Sequence, residues 1–278
     1  MQIYKYFLIK TNYPRYLYRN KAKTRLLIMK YLKEFATTAQ YEAYTADTAN
    51  FITPNVSTCN DNPTVVHYNP YDPYKYVDLG LSVKWAKWNV GATKEEEYGL
   101  YFQWGDTSGY TADEVGSGEG QKYFSWSDYK YWTADTGSGS SGMTKYNSTD
   151  AKTVLDASDD AATANMGSNW RMPTESEFNE LINTANTTSA WTTVNGVYGA
   201  KFTSKKSGFT DKYVFFPAAG NCNSGTLSNA GSYGWVWSSS LSTSNVHYCR
   251  RLYFDSGGSY MDGSSRYYGF SVRGVCVG

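Results

Sequence analysis

Side chains that could act as nucleophiles or metal ligands are few and widely spaced in this chain. Its four cysteines form no CxxC pair and lie far apart, at Cys59, Cys222, Cys249 and Cys276. With only His67 and His247 to join them, the sequence predicts no zinc site. Neither histidine lies in a recognisable nucleophile motif, which argues against a Ser-His-Asp hydrolase. We therefore expect no catalytic residues, no metal and no other cofactor.

Recognition chemistry is better represented, in the segment from His247 to Ser271 near the C-terminus. This segment mixes Tyr, Ser, Gly, Asp, Arg, His and Cys, and the whole chain holds 27 tyrosines. Tyrosine offers contact area at low entropic cost, serine and glycine adapt to a partner, and Arg and Asp form directional bonds. The composition favours a binding surface.

Alternation along the segment indicates which side chains would face a ligand. Leu252 and Phe254 point one way, into the core, so Arg251, Tyr253 and Asp255 point the other way. Gly257-Gly258 then supplies a tight turn, after which the chain returns across the same face. The predicted ligand-binding residues are His247, Tyr248, Arg251, Tyr253, Asp255, Tyr260, Asp262, Ser264, Ser265, Tyr267 and Tyr268.

Two short helices are expected to support this surface. In "RMPTESEFNELINTAN", Thr174 and Glu177 form a capping box ahead of an apolar stripe. In "SDDAATANMG", Ser158 is expected to cap a helix that Gly167 ends, and its two aspartates suit the helix dipole better than a calcium site.

Short strands account for most of the remaining chain from Tyr76 onward. The segments "YVDLGLSVKWAKWNVGA", "EYGLYFQWGD", "GVYGAKFTSK", "KYVFFPAAG", "GWVWSSS" and "GFSVRGV" each carry a strand pattern. The expected fold class is α+β, with two short helices packed on antiparallel strands. Trp235, Trp237 and Arg171 are interpreted as framework residues rather than ligand contacts.

Charge and proline distribution divide the chain into three parts. Residues 1–28 hold four Lys and three Arg with no acid, so with a total of +1 the remainder carries 1 − 7 = −6. We interpret residues 1–28 as a basic leader, either an extension before a natural start at Met29 or a poorly ordered arm. Residues 29–75 form a proline-punctuated tether, and residues 76–278 form the domain. A mildly acidic domain argues against nucleic-acid binding, and the leader's short apolar runs argue against membrane insertion.

The order of these motifs resembles a known family. "YVDLGLSVKWAKWNVGA", "SDDAATANMGSNWRMPT", "FFPAAG", "GSYGWVWSSS" and "YYGFSVRGV" are similar to the Fibrobacter succinogenes major paralogous domain, over about Tyr76 to Val275. That resemblance implies a C-type-lectin-like fold. The Glu-Pro-Asn and Trp-Asn-Asp motifs of calcium-dependent animal lectins do not occur here, so any sugar would bind by stacking, without metal.

The C-terminal part also resembles the variable region of proteins diversified by retroelements, in which adenines of the gene's end are mutated. Randomised AAC or AAT codons never encode Lys, Gln, Glu, Met or Trp. Residues 242–271, the expected variable region, contain none of these types except Met261. A Ser/Tyr/Gly-rich region lacking long polar residues by chance stays open as an alternative.

These resemblances imply a non-enzymatic adhesin of a phage tail, located in the virion, that binds a protein or glycan on a gut bacterial surface. The N-terminal segment, which resembles the opening of gut-phage structural proteins, would contact other virion proteins. An alternative is a bacterial cell-envelope surface protein without diversification. A second alternative is an oxidase similar to formylglycine-generating enzymes, which bind copper through a pair of cysteines. Cys249 and Cys276 would be the candidate pair, but the residues around them do not reproduce that family's cysteine motif.

Genomic DNA provides the first test. We expect a reverse-transcriptase gene nearby, with a near-repeat of the terminal part of this gene that differs from it only at adenines. Sequencing of the flanking DNA checks this expectation. Many gene copies with ordinary substitutions and no such repeat would favour the cell-envelope alternative.

Overall fold

A computed structural model describes residues 76–133 and 142–276 of the 278-residue chain. These residues all belong to the second of two units into which the chain divides, Tyr71–Gly278. The predicted leader, residues 1–28, and the predicted tether, residues 29–75, lie outside the described residues.

Most of the regular structure is β-sheet. The strands are β1 Tyr76–Val77, β2 Lys84–Ala86, β3 Tyr101–Phe102, β4 Thr187–Val194, β5 Val197–Ser204, β6 Tyr213–Pro217, β7 Asn221–Asn223, β8 Thr226–Ser228, β9 Gly234–Leu241, β10 Tyr248–Asp255, β11 Gly258–Ser265, β12 Phe270–Ser271 and β13 Val275–Cys276. Within the described ranges the α-helices are α1 Ala161–Met166 and α2 Glu175–Ile182. Mostly β structure with two short helices is compatible with the predicted α+β class.

The five-stranded sheet organises the domain. Its strand order is β11-β10-β9-β12-β3, with β12 parallel to β9 and the other neighbours antiparallel. Two further sheets, β4-β5-β6 and β1-β2-β13, and the β7-β8 hairpin surround it. The predicted strand pair in "YVDLGLSVKWA" is therefore confirmed as β1 and β2, where Tyr76 pairs with Ala86.

Both faces of this sheet are packed, which explains why its central strands carry so many large side chains. On one face Val236, Leu252 and Phe254 pack with Phe178 and Leu181 of α2. On the other face the fully buried side chains of Trp237, Cys249 and Phe270 join a second cluster. Gly234 is required at the start of β9, because a Cβ atom there would lie 1.9 Å from the ring of Phe254.

Helix α1 begins two residues later than predicted. Ser158 lies in the preceding 3-10 turn, Ala157–Asp159, so the prediction that it caps the helix is wrong. Asp160 is the N-cap, with one carboxylate oxygen accepting from Thr163 N at 2.9 Å and the other from Met172 N at 2.8 Å. The buried Asp160 side chain is favoured because it satisfies backbone donors of two segments.

Helix α2 begins at the predicted capping box. Thr174 Oγ1 accepts from Glu177 N at 3.2 Å, and Glu177 Oε2 accepts from Thr174 N at 2.8 Å. Arg171 donates to the same carboxylate at 2.8 Å and to Met172 O at 3.2 Å, which fits its interpretation as a framework residue. The carboxylate of Glu177 thus joins the helix start to the preceding loop.

Two further features of the described residues concern their thiols and their helices. Cys222, Cys249 and Cys276 are free thiols. Across residues 76–133 and 142–276, no helix has both the length and the apolar character needed to cross a membrane.

Replacing the α2 cap tests its contribution to stability. Thr174→Ala removes the hydroxyl acceptor and should lower the free energy of unfolding by about 1 kcal/mol. Thr174→Ser retains the acceptor and should stay close to the unchanged protein. Urea unfolding followed by circular dichroism measures both variants. Equal losses in the two would show that the hydroxyl does not stabilise the helix.

Candidate functional site

The predicted binding residues lie largely on the hairpin formed by β10 and β11. Asp255 pairs with Gly258, which leaves Ser256 and Gly257 as a two-residue loop, one position earlier than the predicted Gly257-Gly258 turn. The register places Arg251 opposite Asp262 and Tyr253 opposite Tyr260. Residues directly opposite each other in an antiparallel pair point to the same face, and so do residues two apart along one strand. The four side chains therefore share one face of the sheet.

Most of the predicted side-chain directions agree with the structure. Leu252 and Phe254 are fully buried, Tyr253 and Asp255 are half-buried, and Tyr260 is 51% exposed. Arg251 is the exception. It points to the predicted side of the sheet, but its side chain is only 8% exposed. Its guanidinium is covered because the neighbouring strands β9 and β11 bring side chains over it, which no local pattern reveals.

Arg251 is held by contacts from both neighbouring strands. Its Nε donates to Ser264 Oγ at 2.6 Å and its Nη2 donates to Asp262 Oδ2 at 3.0 Å. The guanidinium carbon lies 5.4 Å from the ring centre of Tyr253 and 6.0 Å from that of Trp235.

Burial lowers the pKa of Arg251 from its ordinary value, against the opposing effect of the Asp262 carboxylate. The side chain is still charged at neutral pH, because arginine starts from a very high pKa.

The third nitrogen of this guanidinium, Nη1, differs from the other two. Among the described residues, nothing accepts a hydrogen bond from the buried Nη1 of Arg251. Arg266 Nε shares that property, but Arg266 is fully buried and lies outside the lining of the depression described next. An unsatisfied charged donor is costly in a protein interior, so the Nη1 of Arg251 marks a position where an acceptor would be stabilising.

A surface depression of about 300 Å³ opens beside Arg251. Its lining combines aromatic rings with hydroxyl and amide groups, from Asn221, Trp235, Tyr248, Arg251, Gly263, Ser264, Ser265, Tyr268 and Phe270. Five of these residues belong to the predicted set, namely Tyr248, Arg251, Ser264, Ser265 and Tyr268. Polar groups therefore form much of the lining, and the aromatic rings beside them allow both hydrogen bonding to a ligand and stacking on it.

Aromatic rings continue from the depression in two directions. On one side Trp235 lies 5.5 Å from Tyr253, which lies 4.8 Å from Tyr260. On the other side the ring series runs through Phe270, Tyr268, Tyr267 and Trp126, with successive centres 4.8 to 6.0 Å apart. Four of the five predicted tyrosines, Tyr253, Tyr260, Tyr267 and Tyr268, therefore belong to one continuous series of ring contacts, and the fifth, Tyr248, lines the depression.

His247 joins the far end of this series. Its ring centre lies 5.5 Å from that of Trp126 and 5.8 Å from that of Trp132. Both tryptophans come from a segment more than 100 positions earlier, which the sequence patterns did not connect with the variable region. Sequence reasoning therefore missed them, and no local signal distinguishes them from core tryptophans.

The structure separates the two tryptophans of β9. Trp237 is fully buried and fits its interpretation as a framework residue. Trp235 is half-buried, packs against the core cluster and also lines the depression, so its interpretation as a framework residue stays a prediction. The two residues are two positions apart on one strand and point to the same face of the sheet, so the alternation of the sequence could not distinguish them. Their difference arises from what covers each end of the sheet.

Asp255 is placed apart from the Arg251 depression. Its carboxylate accepts from Tyr253 Oη at 2.6 Å and from Gly257 N at 2.7 Å, at the tip of the hairpin. The hydrogen bond from Tyr253, followed by that from Gly257, holds the pKa of Asp255 below its ordinary value. Asp255 lines a second depression instead, next to Tyr233.

The described residues offer little for metal or thiol chemistry. Within residues 76–133 and 142–276, no group of three or more His, Cys, Asp or Glu side chains is arranged to hold a metal ion. Burial raises the pKa of the Cys249 thiol well above its ordinary value, so this side chain is a poor thiolate. The chemistry at hand is that of stacking and hydrogen bonding.

Comparison of the chain with family models, with curated proteins and with solved structures finds no match in any of the three. Its function is therefore inferred from the residues of the hairpin face and from the contacts they make. Those contacts combine aromatic area, the exposed carboxylate of Asp262 and a buried Arg251 donor that has no partner among the described residues.

Removing the hydroxyl of Tyr253 tests the electrostatics at the hairpin tip. In Tyr253→Phe the pKa of Asp255 should rise toward its ordinary value, because its strongest hydrogen bond is lost. A depressed pKa in the folded state stabilises the protein above the unfolded pKa of about 3.9, and this stabilisation is lost as the pH falls. The variant should therefore lose less stability on acidification.

Carboxyl NMR titration measures the pKa, and urea unfolding at pH values on both sides of it measures the stability. Tyr260→Phe is the matched control, because its hydroxyl is not bonded to Asp255. An unchanged Asp255 pKa in Tyr253→Phe would contradict the assignment.

Proposed function

We propose that this chain is a non-enzymatic ligand-binding protein. Its binding face is the outer side of the β10–β11 hairpin together with Trp235 and the aromatic series on either side. The observation that carries the proposal is the buried Nη1 of Arg251, unpartnered within the part of the chain that the structure describes, beside a depression lined by aromatic and polar side chains. An oxygen acceptor on the ligand would satisfy this donor, which recovers roughly 1–3 kcal/mol of desolvation penalty.

The dimensions of the face favour a macromolecular ligand over a free small molecule. A depression of about 300 Å³ is at the lower limit for a small-molecule site, so it accepts one side chain or one sugar ring. The ring series beyond it adds flat contact area of the kind found at protein interfaces. A protein or glycan with one group inserted beside Arg251 fits both features.

The positions of framework and surface residues support a diversified face. Met261 is the residue of region 242–271 that randomised AAC or AAT codons cannot encode. It pairs with Leu252 and packs against the core cluster of α2, so it lies on the inner side of the hairpin. Tyr253, Tyr260 and Asp262, all of codon-compatible types, lie on the outer side.

On this basis we assign the domain to the C-type-lectin-like fold and the chain to phage tail adhesins, acting in the virion. Two short helices beside antiparallel sheets, and a hairpin whose inner residues are fixed by packing, are what such a display scaffold requires. The ligand would be a protein or glycan of a bacterial surface. The N-terminal segment would contact other virion proteins.

Cell binding tests the proposal. The triple variant Tyr253→Ala, Tyr260→Ala, Tyr267→Ala removes three contact rings and should weaken binding more than about hundredfold, because aromatic hot spots contribute about 2 kcal/mol or more each. Labelled full-length protein is measured by flow cytometry on a panel of gut bacteria, using any strain that the unchanged protein binds saturably.

The control is Tyr76→Ala with Tyr123→Ala, because both tyrosines are exposed, at 54% and 41%, and lie outside the binding face. Thermal unfolding shows whether each variant is folded. Full binding by a folded triple variant, or absence of binding to every strain by the unchanged protein, would refute the proposed function.

A further inference from the structure

A second depression, of about 260 Å³, lies at the tip of the β10–β11 hairpin. Three connections form it: the β4–β5 hairpin, the loop before β9 and the β10–β11 turn. Its lining is Trp191, Tyr198, Gly231, Ser232, Tyr233, Asp255 and Ser256. Most of these residues lie outside the predicted variable region, so the site belongs mainly to the framework.

Aromatic rings form much of the wall. Trp191 and Tyr198 are stacked, with ring centres 6.0 Å apart and planes within 10° of each other. Tyr198 is 50% exposed and Tyr233 is 36% exposed, although both are large aromatic side chains. An exposed ring in such a site can offer the negative face of its quadrupole to a ligand.

Backbone hydrogen bonds hold these rings in place. Tyr198 O accepts from Ala218 N at 2.8 Å, and Ala218 O accepts from Gly231 N at 2.7 Å. Tyr233 N donates to Asn229 O at 3.1 Å within the loop before β9. The β5 strand and this loop are therefore connected through Ala218, which fixes the backbone of the wall before any ligand binds.

The charge of the lining is negative. Of the seven lining residues Asp255 alone is ionisable near neutral pH, and hydrogen bonds from Tyr253 and Gly257 keep its carboxylate ionised. Those two donors leave acceptor capacity on the carboxylate, because each oxygen has two lone pairs. No lysine or arginine lines the depression.

We propose that this depression binds an alkylammonium group. A cation gains from the ring faces and from the carboxylate together, whereas an anion is repelled and an uncharged alkyl group leaves Asp255 partly desolvated. Two sources supply this chemistry, the side chain of a lysine on a partner protein and a quaternary ammonium headgroup. The site does not depend on the proposed function, since it uses a different depression and largely different residues.

Small probes test the site on the full-length chain. The probes are choline, n-butylammonium, and the uncharged isostere of choline in which a tert-butyl group replaces the trimethylammonium group. We expect at least one cation to bind saturably, and the isostere to bind at least about tenfold more weakly than choline, since a desolvated cation–π contact contributes about 1–2 kcal/mol. Saturation-transfer NMR with titration measures the affinities.

Two variants locate the bound probe. Tyr198→Leu removes a ring and Asp255→Asn removes the charge, and each should weaken cation binding about tenfold. The matched controls are Tyr76→Leu, at an equally exposed tyrosine, and Asp211→Asn, at an exposed aspartate. Neither control should change the affinity.

Each outcome bears directly on the inference. Tighter binding of choline assigns the site to a quaternary headgroup, and tighter binding of n-butylammonium assigns it to a lysine side chain. Absence of saturable binding by both cations, or binding of the uncharged isostere as tight as that of the better cation, overturns the inference without any mutation. Unchanged affinity in Asp255→Asn also overturns it. Loss of cell binding by the tyrosine triple variant would leave these results unaffected.

Discussion

Packing of one face of the β9–β10–β11 sheet against α2 is the constraint from which the candidate site follows. Leu252 and Phe254 are fixed against α2, so the alternate residues of β10 must lie on the opposite side. A shift of one residue in register would expose the core residues and bury the polar ones. The inner face therefore determines which side chains the hairpin can offer, and it leaves the outer ones free to differ.

Arg251 illustrates what this constraint produces. It lies under Ser264 and Asp262 and against the rings of Tyr253 and Trp235, with its Nη1 unpartnered among the described residues. Arg273 is buried too, yet its three nitrogens donate to Asn89 Oδ1, Ala86 O and Phe215 O. Complete satisfaction of this kind suits a framework arginine. The incomplete satisfaction of Arg251 suits a residue that receives a ligand.

The two depressions differ in chemistry although they flank the same tyrosine. Tyr253 contacts Trp235, beside the first depression, and Tyr233, in the wall of the second, with ring centres 5.5 and 5.9 Å apart. The first depression offers an unpartnered cationic donor, and the second offers a carboxylate among rings. A single partner that presents an acceptor and a cation at matching positions would engage both, which is how short-range charge patterns create specificity.

Local sequence determined the elements and the parity of their side chains. The Thr174 capping box, the inward Leu252 and Phe254, and the outward Tyr253 and Tyr260 follow from nearest-neighbour geometry along one helix or strand. Tertiary structure alone decided the burial of Arg251, the exposure of Trp235 beside the buried Trp237, and the arrival of Trp126 at His247. These features depend on which distant segments lie over a residue, and such long-range contacts leave no periodic trace in the chain. A longer-range contact also explains why Asp160, and not the predicted Ser158, caps helix α1. The Asp160 carboxylate accepts a hydrogen bond from Met172 N, twelve residues away.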